Sequence, residues 1–320
     1  MKTTNPETIH VQGERWYPSE TKFSDEISSN WGDWGCDSEV GHMRAVLLRR
    51  PGKEIEIVNS KNYSDYRWKA PMDPARARDQ QDHLAQIYRD HGAQIHYVEN
   101  QREDRPNSLY MRDLVFMTPE GAIVGRPGIA ARRGEERYAA EALSRLGVPI
   151  ISTIHGEGFF DCACAMWVDR ETVIVGTGAR ANQVGASQVE DALRSVGVKT
   201  ILPFLIPFGH AHLDGLINFA DKKTVLLFPW QVPYDVVKAL MDRDCNIVEA
   251  TDLEEIKINS AVNFVAVEPG VITMPAGSPK TRAKLEKAGV EVIEVELDEI
   301  MKGWGASHCM TVALKRDPVD

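Results

Sequence analysis

The chain reads as an α/β protein folded into one closed, pseudo-fivefold domain around a central cavity. Three observations predict this. A helix end that runs through Gly into a β-branched stretch recurs five times: RDHGAQIHYVE at Gly92, SRLGVPIIST at Gly147, RSVGVKTILPF at Gly197, MDRDCNIVEA with Asp244 replacing Gly, and EKAGVEVIEVEL at Gly289. A second strand-like run precedes each helix, and the five landmarks step by 55, 50, 47 and 45 residues. Units of that size, strand then helix then strand, cannot bury their apolar faces alone, so they must pack into one body.

Residues 1 to 40 form a polar arm whose Trp16, Trp31 and Trp34 read as packing groups, and residues 41 to 320 form the single domain. The leading strands are AVLLR (45–49), AIVGR (122–126), TVIVG (172–176), TVLLF (224–228) and GVITM (270–274). Between strand and Gly lie helical segments such as 133–146 and 278–288, the latter opening with Ser-Pro at the cap and first turn. Gly or Asp just past the helix suits the left-handed residue that ends it. The first unit carries an insertion. Residues 50 to 80, with Tyr63, Tyr66 and Trp68 among polar neighbours, read as a loop over one mouth of the cavity.

Composition narrows the function. With 43% hydrophobic and 26% charged residues the chain is globular, and 24 Gly with 17 Pro follow no fibrous period. A formal charge of −10 opposes nucleic acid and anionic membrane. The first twenty residues lack an apolar signal region, and the longest apolar stretch, 201–208, is short and broken by two prolines, so a soluble cytoplasmic protein is expected. Five cysteines (Cys36, Cys162, Cys164, Cys245, Cys309) then read as reduced thiols. A homo-oligomer is compatible with this composition.

Four segments bring ionisable residues to where units should end near a common axis: MRD (111–113), GEGFFDCACAMWVD (156–169), GHAHLDGLINFAD (209–221) and GWGASHCMT (303–311). His210, His212 and Asp214 alternate, so an extended chain puts all three on one face. Cys309 follows a turn with Gly303 and Gly305 and precedes a strand, where a thiol is exposed at a rim.

The order xRD, a strand similar to F-E-G-G-D, then H-x-D, then G-x-G-x-x-H-C-M-[ST] resembles the guanidino-group-modifying, or pentein, superfamily of arginine deiminase, dimethylarginine dimethylaminohydrolase and the amidinotransferases. The resemblance covers roughly residues 40 to 316. It implies a five-bladed α/β propeller and a covalent mechanism, with Cys309 as nucleophile and His212 as general acid/base. Asp113 and Asp214 would hold two nitrogens of a planar N–C–N group. The residue types fit that chemistry: a thiolate attacks the carbon, carboxylates orient its N–H groups, and a histidine moves protons. It calls for a small-molecule substrate and for neither metal nor organic cofactor.

One departure bears on substrate. Where the family has Glu-Gly-Gly-Asp, this chain has Asp161-Cys162-Ala163-Cys164. One carboxylate is a methylene shorter and the other is gone, so free arginine is disfavoured against a less basic N–C–N compound, and a 2-nitroimidazole nitrohydrolase would fit. Asp161 divides between substrate ligand and structural role. Arg132 and Arg133 read as a solvated helix start or as holders of a substrate carboxylate; Cys162 and Cys164 read as lining or core, and His210 and His308 as structural neighbours. Two other classes compete. A metal site of Cys162, Cys164, His210 and His212 lacks the usual zinc spacing. A non-catalytic binding protein is the second, since a ribosome-binding translation factor shares the propeller fold.

Overall fold

The five repeats become five three-stranded sheets. A computed structural model describes residues 18–319; Trp16 and the first part of the arm lie outside them. In the second blade β3 (Val115–Thr118) pairs antiparallel with β4 (Gly121–Val124), which pairs parallel with β5 (Ile150–Thr153) after a crossover through α3 (Glu135–Leu146). The third repeats this with β6 (Ala165–Asp169), β7 (Thr172–Thr177), α4 (Gln183–Ser195) and β8 (Thr200–Leu205). The fourth uses β9 (Ile217–Phe219), β10 (Thr224–Leu227), α5 (Tyr234–Met241) and β11 (Asn246–Glu249). The fifth uses β12 (Val265–Glu268), β13 (Val271–Pro275), α7 (Pro279–Lys287) and β14 (Glu291–Val295), after the short α6 (Leu253–Lys257). The first blade closes the ring. Its β1 (Met43–Leu48) and β2 (Gln94–Tyr97), joined through α2 (Pro74–Asp90), take their antiparallel strand from the chain's far end, β15 (Val312–Arg316).

Local chemistry explains the elements. Asp73 caps α2 by accepting from the backbone N–H groups of Ala75 and Arg76, with Pro74 in the first turn. In α3, Ala139 and Leu143 are four residues apart and both fully buried, the spacing that turns one helix face inward. The expected left-handed helix ends are present, at φ 79 for Gly147 and φ 56 for Asp244. Middle strands β4 and β10 are buried throughout, as strands covered on both faces must be. Four of the antiparallel outer strands, β3, β6, β9 and β12, were not among the strand runs expected from sequence. They span three to five residues and turn at once into the next strand.

The residues before the outer strands meet near the ring's axis. Short helical turns at Met111–Asp113, Cys162–Cys164 and Leu213–Gly215, with α8 (Ser307–Met310), pack against one another there. The arm leads in through α1 (Phe23–Asn30); Gly35 then donates its N–H to Leu314 O at 2.8 Å. Trp31 is 48% exposed, against the packing role expected of it, whereas Trp34 donates its indole N–H to Trp31 O at 3.0 Å. Among the described residues no helix is long and apolar enough to cross a membrane.

Candidate active site

Four blades line one cavity of about 690 Å³ at the place where the chain enters the outer strand, and the third adds Arg180, just after β7. Asp113, His212 with Asp214, Asn263 and Cys309 line it from four blades, and Asp161 of the remaining blade lies just behind. Ser64, Tyr66, Arg67 and Trp68 of the first-blade insertion cover one side of the mouth.

Cys309 is buried. Its Sγ donates to Asp214 Oδ2 at 3.2 Å and accepts from Asn263 Nδ2 at 3.0 Å. Asn263 Oδ1 in turn accepts the backbone N–H of His308 (3.0 Å) and Cys309 (3.3 Å), which fixes the turn that carries the thiol. Burial, followed by the charges of Asp214 and Asp113, pushes the thiol well above its ordinary pKa, so it rests protonated.

Behind Asp214 stands His308, with Nδ1 3.0 Å from Asp214 Oδ2 and Nε2 3.7 Å from Glu39 Oε2. Burial disfavours the imidazolium, but the two carboxylates outweigh it and the histidine pKa rises. Against their own burial, Asp214 and Glu39 both fall to about 2, chiefly through their hydrogen bonds to His308. Arg112 supports Glu39 at 3.6 Å and binds the carbonyls of Cys162 and Ala165, each at 2.7 Å.

His212 is held on the other side. Its Nε2 lies 2.9 Å from Asp161 Oδ2 and its Nδ1 3.5 Å from Asp113 Oδ1. Burial again opposes the charged ring, and Asp113 and Asp161 reverse the sign, so the pKa is raised. Asp161 also accepts from Gly128 N at 2.7 Å and Arg180 Nη1 at 3.1 Å. His212 and Arg180 hold it below the usual carboxylate range despite complete burial. Asp113 Oδ2 is paired with Arg132, whereas its Oδ1, equally buried, has no hydrogen-bond partner among the described residues. Arg132 continues to Glu135, whose carboxyl burial lifts to about 7 although Arg132 opposes the rise.

Arg112, Arg132, Arg180, His212 and His308 stand among the carboxyl groups of Glu39, Asp113, Glu135, Asp161 and Asp214. Each of these carboxylates is therefore already opposed by an arginine or a histidine inside the protein. Arg67 and Lys257, both exposed, add positive charge at the mouth. Asp113, Asp161 and His212 each place a donor atom within 4.8 Å of the others, a spacing a metal ion could use, but each carboxylate is already opposed by a guanidinium.

The comparisons with known proteins agree with this architecture. The dimethylarginine dimethylaminohydrolase of Pseudomonas aeruginosa is 30% identical over 207 residues, covering 65% of this chain and 76% of that protein. The chain belongs to the guanidino-group-modifying, or pentein, superfamily. The arginine deiminase family matches residues 231–316. The 2-nitroimidazole nitrohydrolase of Mycobacterium sp. JS330 is 26% identical over 308 residues, 87% of this chain and 81% of that one. Among solved structures, the Pseudomonas aeruginosa enzyme complexed with citrulline superposes with a TM-score of 0.69 at 25% identity, over 85% of this chain and 99% of that chain. These relatives are named as hydrolases, and the propeller that the resemblance implied is the fold they share.

Several sequence expectations change in detail. His210, His212 and Asp214 do not share a strand face: the segment is a loop and a helical turn, β9 beginning only at Ile217. His212 and Asp214 still reach the site, and His210 lines the same cavity with its ring 6.1 Å from that of Phe228 between centroids. Cys162 and Cys164 occupy a helical turn, fully buried, their thiols facing the carbonyls of Ile123 (3.7 Å) and Ala211 (3.8 Å). Burial pushes Cys162 up to about 12 and Cys164 well above its ordinary value, and both sit in the core without lining the cavity. Asp161 directs both oxygens to protein partners and stands behind His212, off the cavity wall. Arg132 is committed to Asp113 and Glu135 and Arg133 to Pro127 O, which leaves neither as a solvated helix start. His308, expected to be a bystander, touches Asp214 directly. Glu39, Asn263 and Glu135 were not anticipated. Asn263 had a signal, since it stands two residues before β12 as Asp113 stands two before β3.

Proposed function

We propose that this pentein hydrolase acts on the planar N–C–N carbon of a neutral or weakly basic small molecule, through a covalent adduct on Cys309. Asp113 Oδ1, buried beside His212 but accepting no hydrogen bond among the described residues, would accept one substrate N–H, and Asp214 would orient a second. The Cys309 Sγ attacks the carbon as its proton leaves toward Asp214 Oδ2, and Asn263 Nδ2 supports the developing thiolate. The leaving group departs with its bonding electrons. With an amine leaving group, His212 as imidazolium protonates it from Nδ1 and, once neutral, takes a proton from the water that hydrolyses the adduct. With nitrite, which leaves unprotonated, the neutral fraction of His212 activates that water. In both cases Asp214 returns its proton to the released Cys309 sulfur. Asp161 keeps the ring oriented and charged.

The observation that carries the substrate class is that every carboxylate around the cavity is already opposed by an arginine or histidine of the protein. A guanidinium entering it would be desolvated without a spare negative charge, which costs a few kcal/mol. That pairing, and the 26% identity to a 2-nitroimidazole nitrohydrolase, favour a ring that expels a low-pKa anion such as nitrite. Steady-state kinetics test this. Nitrite release from 2-nitroimidazole should exceed arginine deimination by about a hundredfold or more in kcat/KM. Arginine turnover at the level of a dedicated deiminase would overturn the substrate reading.

A further inference from the structure

Trp304 sits at φ 69 between Gly303 and Gly305, lines the cavity, and is 59% exposed. Both glycines lie on Tyr110 so closely that a Cβ at either would collide with its ring or hydroxyl. Tyr110 is itself fixed, buried and donating its O–H to Ile300 O at 2.7 Å. The turn is therefore pressed onto a rigid tyrosine, and its middle residue projects outward in a conformation unfavourable to a bulky side chain. A polar residue or glycine would serve the turn better. The indole is nevertheless held: Lys69 Nζ stands 4.1 Å from the ring centroid, and the Lys69 backbone N–H donates to Lys302 O at 2.7 Å, fastening the insertion to the turn.

Strain gathers at this mouth. Four non-glycine residues among those described have positive φ, and three of them, Arg67, Ser260 and Trp304, line the cavity. Ile258, 55% exposed, lines the same cavity and adds a large apolar side chain. An exposed, cation-capped indole in a strained turn does nothing for the core, and strain of this kind persists where a site uses it.

We infer that Trp304 is a stacking platform for a flat aromatic substituent carried by the substrate outside its N–C–N head. This deepens the proposed function and rests on the cavity being the reaction site. Lys69 reinforces the platform by holding the indole in place from the insertion.

Binding can be read with the chemistry switched off. In Cys309→Ala protein, calorimetry compares 1-ethyl-2-nitroimidazole with 1-(2-phenylethyl)-2-nitroimidazole, which share a head and differ in the aryl group. The aryl probe should bind at least about fivefold more tightly, the range of an aromatic pair. Adding Trp304→Ala should bring the two within about twofold, whereas Trp304→Phe should retain most of the preference. Circular dichroism and melting temperature report whether each variant is folded. An aryl preference absent from the parent, or unchanged in a folded Trp304→Ala protein, overturns the platform, as does failure of both probes to bind. If the native enzyme forms no Cys309 adduct with the ethyl probe yet the Trp304-dependent preference persists, the chemistry fails and the platform stands.

Discussion

Replacing Asp161 with Asn keeps the shape of a fully buried side chain and removes its charge. The amide oxygen still accepts from Gly128, but the partner atom facing His212 Nε2 at 2.9 Å and Arg180 at 3.1 Å is no longer a carboxylate. A hydrogen bond to a charged group contributes about 1.5–3 kcal/mol. At about 1.4 kcal/mol per pH unit, its loss should lower the His212 pKa by roughly one to two units, with Asp113 at 3.5 Å retaining part of the rise. The sign follows from linkage. His212 has a raised folded pKa, so its contribution is complete below its unfolded value and fades as pH rises through the folded one; Asp161, lowered, contributes above the ordinary carboxylate range. The stability gap between wild type and Asp161→Asn should thus be widest between those limits and narrow toward alkaline pH. NMR titration of ¹³C-labelled histidine, with His212 assigned by its loss in His212→Ala, measures the shift directly. A His212 titration that stays put, or moves upward, would refute the role given to Asp161.

Two further perturbations probe the nucleophile's support. Asn263→Ala removes the donor to Sγ and strands the N–H groups of His308 and Cys309, so stability should fall by about 1–3 kcal/mol and iodoacetamide labelling of Cys309 should slow by about tenfold; an unchanged labelling rate would remove Asn263 from thiol activation. Gly305→Ala drives a methyl into the Tyr110 ring and should cost about 1–3 kcal/mol in urea unfolding, whereas a neutral result would show that the turn can lift off the tyrosine.

The ring was legible because a helix stop, a residue that tolerates positive φ and a β-branched run are local signals, and five copies reinforce one another; even Asp244 takes the glycine's place at φ 56. Outer strands such as β9, three residues long, carry too little periodicity to be seen alone. At the site, Cys309, His212, Asp113 and Asp214 were identifiable from their motifs, and all four line the cavity. Alternation misled at 210–214, because Gly209 at φ 96 turns the chain before a strand can form. Glu39 was invisible because nothing local distinguishes it from its polar neighbours; only the fold lays the end of the arm beneath His308. Arg132 looked like a helix-start cation because its partner Asp113 lies nineteen residues away and is brought in by the blade.

Whether Cys309 forms a covalent bond to the N–C–N carbon is tested most directly by rapid-quench intact mass and peptide mapping on mixing with 2-nitroimidazole. Nitrite expulsion needs no proton, so His212→Ala should release one nitrite per subunit in a burst and accumulate the ring as a thioether on Cys309, while hydrolysis stalls. Wild type should show the same adduct transiently, and Cys309→Ser should show none. Steady product release with Cys309 unmodified at every time point would contradict the mechanism.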